Sequence, residues 1–119
     1  GASQGAAPSK SDRPERFYHG FVLGLIVELM GRYHISSNRE SGYGRYDVML
    51  EPVNDTDPAF IFEFKVCEES EKTLEDTVAA ARKQIQDKQY SNELVSRGIR
   101  PDRIRCYGFA FQEKKILIG

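Results

Sequence analysis

Three ionisable residues occupy positions where a buried strand would hold apolar ones. Asp47 lies in Arg45-Tyr46-Asp47-Val48-Met49-Leu50, and Glu63 and Lys65 close the run Ala59-Phe60-Ile61-Phe62-Glu63-Phe64-Lys65-Val66. Burying such charges uncompensated costs several kcal/mol, so the fold must supply a counterpart. A divalent cation shared by two carboxylates, with a lysine beside it, is one such counterpart. The same set equips a chain to hydrolyse a phosphodiester. A hard cation neutralises the phosphate, activates water and stabilises the leaving oxygen. Mg²⁺ favours oxygen ligands and keeps several waters, so two carboxylates suffice as protein ligands, and Mn²⁺ is expected to substitute.

Strand alternation assigns the faces. Lys65 is two residues from Glu63, so the two side chains project together, while Phe62, Phe64 and Val66 point to the opposite face. Asp47 and Glu63 fall on adjacent antiparallel strands about 5 Å apart and would repel unless a cation or a proton lay between them. Lys65 could orient the attacking water, act as a base, or stabilise the developing charge. The plainer alternative is a partly exposed ion pair between Glu63 and Lys65 on a strand surface.

The elements that must hold these residues follow from patterning. Residues 1–13 are Gly, Ala, Ser, Pro and charge, and read as a disordered linker or an expression remnant. With a strand ending the sequence, they suggest a domain (14–119) cut from a longer polypeptide. Pro14 suits the first turn of a helix running to about Met30, with Gly31 as its C-cap. Strands are expected at Tyr33–Ser37, Tyr46–Glu51 and Phe60–Val66, the last two separated by the Asn/Asp/Pro-rich turn Pro52–Pro58. Leu74, Val78, Ala81 and Ile85 recur at helical spacing and predict one helix from Thr73 to about Tyr90. Leu94–Pro101 reads as a connector, and Ile104–Phe111 and Lys115–Ile118 as strands. Three strands joined by short turns make an antiparallel meander, and the helix after them crosses over to a parallel neighbour.

Composition bounds the partners. The 119 residues fit one domain, with 17 Lys and Arg against 18 Asp and Glu for a net charge of −1. That balance disfavours a stand-alone nucleic-acid binder unless charge is segregated. Arg97, Arg100, Arg103 and Arg105 cluster, Arg82, Lys83 and Lys88 lie on the preceding helix, and Glu68, Glu69, Glu71, Glu75 and Asp76 gather elsewhere; both groups read foremost as solvated surface. No apolar stretch approaches the roughly 20 residues of a membrane span, and no signal peptide is visible. Cys67 and Cys106 alone make neither a disulfide framework nor a zinc site, which fits small buried packing residues in a cytoplasmic protein.

The order of elements, with Asp on the second strand and Glu-x-Lys closing the third, resembles the PD-(D/E)XK nuclease superfamily. The resemblance spans everything after the N-terminal tail. Side features extend it: Glu15-Arg16-Phe17-Tyr18-His19 opens the first helix, Ser41-Gly42-Tyr43-Gly44-Arg45-Tyr46-Asp47 leads into the second strand, and Gln84-Ile85 with Tyr90 ends the second helix. These resemble the subgroup found C-terminal to AAA-ATPase-like domains in bacteria. Tyr46 stands where the superfamily's name places proline.

The resemblance implies an α/β, restriction-endonuclease-like core: a mixed sheet of about five strands in the order α-β-β-β-α-β-β, with a helix on each face. It implies a metal-dependent nuclease acting on nucleic acid, DNA ahead of RNA, with Asp47 and Glu63 as ligands. By the same resemblance the Phe64 carbonyl completes the set, and Gln84 is either a helix-borne catalytic amide that bonds Lys65 or a phosphate, or a solvent-facing helical residue. Glu15 and His19, one helical turn apart, are further candidates, each balanced by an ordinary structural role. Glu28 is a weaker one. Arg45 and Lys88 are candidate phosphate contacts, and Gly42 and Gly44 would let backbone approach a ligand or simply satisfy a turn. The alternative is a catalytically silent module of the same fold that binds nucleic acid or protein within an ATPase-linked chain. A homodimer suits an enzyme cutting both strands.

Overall fold

The long N-terminal helix stops where its apolar pattern stops, and everything after it is built around one sheet. In the computed structural model the described backbone covers residues 12–38 and 45–119, with side chains described at 20–37 and 45–119. Helix α1 runs Asp12–Leu29, followed by strands β1 (Tyr33–Asn38), β2 (Arg45–Pro52) and β3 (Ala59–Val66). Helices α2 (Leu74–Lys88) and α3 (Tyr90–Ser96) lead through a single 3₁₀ turn at Pro101–Arg103 into β4 (Ile104–Gln112) and β5 (Lys115–Ile118).

The sheet has the spatial order β1-β2-β3-β4-β5. β1/β2, β2/β3 and β4/β5 pair antiparallel, and β3/β4 pair parallel. The meander, the crossover and the mixed five-stranded sheet are those of the expected α/β restriction-endonuclease-like core. Helix α1 begins two residues ahead of Pro14, and Gly31 leaves it at φ +94°, a left-handed turn that glycine adopts without strain.

One expected helix is two. The expected Thr73–Tyr90 helix ends at Lys88, Gln89 takes a left-handed conformation (φ 55°, ψ 41°), and α3 starts at Tyr90. The expected connector therefore begins later, because Leu94 is fully buried on α3. Thr73 caps α2 by accepting from the Asp76 backbone N–H at 3.2 Å, with Glu75 and Asp76 in the positive first turn.

Alternation along the strands divides the interior into two cores. On one face Val48, Leu50, Phe62, Phe64, Phe109 and Phe111 pack against Val22 and its neighbours Phe21, Leu25, Ile26 and Leu29 of α1. Rings there interlock, with centroids 4.7 Å apart for Phe64–Phe109 and 5.0 Å for Phe62–Phe109. Each fully buried large side chain contributes about 1.5–3 kcal/mol, so this face fixes β3 firmly. On the other face Met49, Ala59 and Ile61 are covered by Ile85 of α2 and Leu94 of α3. Among the described residues no helix is long and apolar enough to cross a membrane. Cys67 and Cys106 are free and half-buried. Burial pushes the Cys106 thiol up, partly offset by the Arg82 charge.

Candidate functional site

Strand register sets the site. On the α2/α3 face the residues of β2, β3 and β4 form rows: Met49–Ile61–Cys106, then Asp47–Glu63–Gly108, then Arg45–Lys65–Ala110. Successive rows are about 6.6 Å apart, two residues along a strand. Asp47 and Glu63 are thus directly opposite, and the backbone of Asn38 extends their row to β1. Phe62 and Phe64 take the other face, as alternation requires.

All three charged residues are buried: Asp47 and Glu63 are 1% exposed and Lys65 2%. Glu63 and Lys65 therefore do not lie on a partly exposed strand surface. Lys65 reaches instead to the loop before α2, with Nζ 2.8 Å from Glu71 Oε1 and 3.5 Å from Glu68 Oε2. Asp47 accepts a 2.7 Å hydrogen bond on Oδ2 from the Tyr90 hydroxyl. This bond orients the carboxylate from the first residue of α3.

Glu71 does more than solvate a surface. The same Oε1 accepts from the Glu68 backbone N–H at 2.8 Å and from the Thr77 hydroxyl at 3.1 Å. Burial raises its carboxyl, but the Lys65 hydrogen bond, the Glu68 N–H, the Lys65 charge and Thr77 outweigh that and hold it below the usual carboxylate range. Of the acidic residues expected as solvated surface, Glu71 departs from that expectation with a side chain only 12% exposed, while Glu68 stays exposed. The available signal was a carboxylate six residues past a strand lysine, two before a helix cap.

The remaining candidates divide. Gln84, half-buried on α2, accepts on Oε1 from Arg45 Nη1 at 3.1 Å, which ties the helix amide to the row holding Lys65. Lys88 is exposed one helical turn further along, on the face that carries Gln84. The Phe64 carbonyl belongs to the strand segment between the Glu63 and Lys65 rows. Glu28 is exposed on α1, whose described apolar residues pack on the far side of the sheet, so it does not join the site. The side chains of Glu15 and His19, and the segment containing Gly42 and Gly44, lie outside the described residues.

The arginine cluster stands apart. Arg105 is in register with Phe60 at the start of β3, the opposite end from Lys65. Arg97 pairs with Glu51 and Glu93, Arg100 with Asp102, and Arg103 donates to the Asp57 carbonyl. These arginines line a cleft of about 380 Å³ with Glu51, Asp55 and Asp57, so acids there offset their charge. Arg82, exposed on α2, donates to the carbonyls of Cys106 and Gly119.

Two opposed, buried carboxylates provide hard oxygen ligands of the type Mg²⁺ and Mn²⁺ take. Among the described residues no group of three or more His, Cys, Asp or Glu side chains gathers as a metal cage. Two facing carboxylates fit a cation that keeps much of its water.

A family model described as the PD-(D/E)XK nuclease superfamily matches residues 13–119. No curated protein and no solved structure matches the chain.

Proposed function

Because this chain belongs to the PD-(D/E)XK nuclease superfamily, we propose that it is a metal-dependent nuclease domain that hydrolyses phosphodiester bonds, DNA ahead of RNA. The observation that carries this reading is the register pairing of Asp47 with Glu63 on a buried face, one row from Lys65. Asp47 and Glu63, with the Phe64 carbonyl, would hold Mg²⁺ or Mn²⁺. The bound ion would neutralise the scissile phosphate and lower the cost of forming the nucleophile from water.

The chain's own residues supply the rest. Tyr90 fixes the Asp47 carboxylate by donating to Oδ2, so the ligand pair is set before any substrate arrives. Lys65 offers an ammonium to the attacking water or to a phosphate oxygen. Arg45 orients the Gln84 amide by donating to its Oε1, which turns the amide N–H donors toward other acceptors such as phosphate oxygens. Lys88 adds an exposed cation on the same helix face. Together these set cationic and amide donors beside the carboxylate pair. We further propose, from the resemblance, that the domain works alongside an AAA-ATPase-like domain, and that cutting both strands of a duplex would engage two copies.

The test is cleavage of linear, circular, branched and single-stranded DNA and of RNA, in Mg²⁺, Mn²⁺ or EDTA. Asp47→Ala, Glu63→Ala and Lys65→Ala are run alongside. Metal-dependent cleavage by the wild type, lost in Asp47→Ala and Glu63→Ala and sharply reduced but measurable in Lys65→Ala, is the expected result. Absence of metal-dependent cleavage, or equal cleavage by the wild type and the triple variant, overturns the proposal.

A further inference from the structure

Lysine is a flexible four-carbon chain with three donors, and at 2% exposure Lys65 has little water to complete them. Its head is held by one carboxylate oxygen that two other groups also hold. Glu71 Oε1 takes Lys65 Nζ at 2.8 Å, the Glu68 backbone N–H at 2.8 Å and the Thr77 hydroxyl at 3.1 Å. Thr77 is fully buried in the first turn of α2, and the Glu71 side chain is only 12% exposed. The carboxylate is therefore anchored to the loop after β3 and to α2 at once, and cannot follow the lysine if the lysine swings.

We propose that Glu71 is a positioning residue that fixes the Lys65 ammonium beside the Asp47–Glu63 row; this rests on the nuclease reading above. One Lys65 N–H goes to Glu71, the more distant Glu68 draws a second, and the third serves a water or phosphate oxygen. Glu71 touches neither substrate nor reacting atoms in this arrangement. Its contribution is to hold the Lys65 ammonium in one rotamer. The depression of the Glu71 carboxyl against its own burial fits the close approach of the Lys65 Nζ. A misplaced catalytic group of this kind costs about 10- to 100-fold in rate.

The experiment compares Glu71→Gln, which still accepts from Glu68 and Thr77 but loses its charge, with Glu71→Asp, each in wild-type and Lys65→Met backgrounds. Steady-state cleavage is read as kcat and KM, Mn²⁺ affinity by calorimetry, and the Lys65 ammonium directly by ¹⁵N NMR. Expected for Glu71→Gln are a kcat lower by about 10- to 100-fold, with KM and Mn²⁺ affinity within about twofold, and partial recovery in Glu71→Asp. In the Lys65→Met background the same change should alter kcat by less than about twofold, because the group being positioned is gone. The slowly exchanging Lys65 ammonium signal should be present in the wild type and lost in Glu71→Gln. An unchanged signal, an unchanged kcat in an active enzyme, or an equal effect in both backgrounds overturns the inference. A wild type that shows the signal, loses it in Glu71→Gln, yet cleaves nothing in any metal overturns the nuclease reading alone.

Discussion

Replacing Glu63 by Gln should make the metal-free domain more stable and the metal-loaded domain less so. Glu63 faces Asp47 directly across an antiparallel pair, which puts their Cβ atoms about 5 Å apart. Two unit charges at that separation repel by about 3 kcal/mol at an effective dielectric near 20. Each is 1% exposed, so water screens the repulsion little. A proton shared between the carboxyls would relieve part of it, so the expected gain on neutralising Glu63 without metal is about 1–3 kcal/mol. For a chain of this size each kcal/mol moves Tm by about 3–6 °C. With Mn²⁺ at a thousandfold excess over its Kd, the wild type gains about 4.1 kcal/mol, and a variant lacking one of the two carboxylates gains little. The order of stabilities therefore reverses between EDTA and Mn²⁺. Urea unfolding followed by circular dichroism in each buffer reads this, with m-values showing whether the compact state is unchanged. Should Glu63→Gln be the less stable protein in EDTA, or should Mn²⁺ stabilise both equally, the paired carboxylates are not a cation site.

Three further outcomes follow from other contacts. Tyr90→Phe removes the donor to Asp47 Oδ2 and should cost about 1.5–3 kcal/mol and weaken Mn²⁺ binding about tenfold; unchanged calorimetric Kd and urea midpoint would refute the bond's role. Gly108→Ala places a Cβ 2.9 Å from the Val78 carbonyl and 3.0 Å from Ala81 Cβ. It should destabilise by about 1–3 kcal/mol, measured by urea unfolding, by pushing α2 off the sheet beside Glu63. The folded Glu71 carboxyl sits below its ordinary value of 4.5, so its stabilisation is complete above that pH and fades as pH falls through the folded value. The wild-type advantage over Glu71→Gln in urea midpoint should thus be present at about pH 6 and shrink below about pH 4.5; an advantage constant across that range contradicts the assignment.

What could be read in advance was whatever repeats within one element. Period-two alternation in Phe60–Val66 was enough to separate Glu63 and Lys65 from the phenylalanines, and antiparallel connection brought Asp47 beside them. The helical spacing of Leu74, Val78, Ala81 and Ile85 located α2. Contacts closed by tertiary approach had no such signature. Tyr90 meets Asp47 across 43 positions, and Arg45 meets Gln84 across 39. Neither distance corresponds to any local period. Glu71 was hidden among like charges, where only the folding of the loop after β3 distinguishes the one carboxylate turned inward. The arginine cluster, read foremost as solvated surface, carried no sign of the acids that offset it, which come from β2, the following turn and α3.

The left-handed residue between the two C-terminal helices has a consequence for how much variation this domain can absorb. On an unbroken α2, position 90 would lie about 140° around the axis from Ile85, turned away from the sheet. Reversal at Gln89 carries Tyr90 back to Asp47, so the orientation of that carboxylate is set by a single backbone joint. One residue inserted there could leave both helices intact and the cores filled while disconnecting the hydroxyl from the carboxylate. Related chains could then differ freely along the outer surface of α3, yet tolerate no change of length at that joint without surrendering the chemistry.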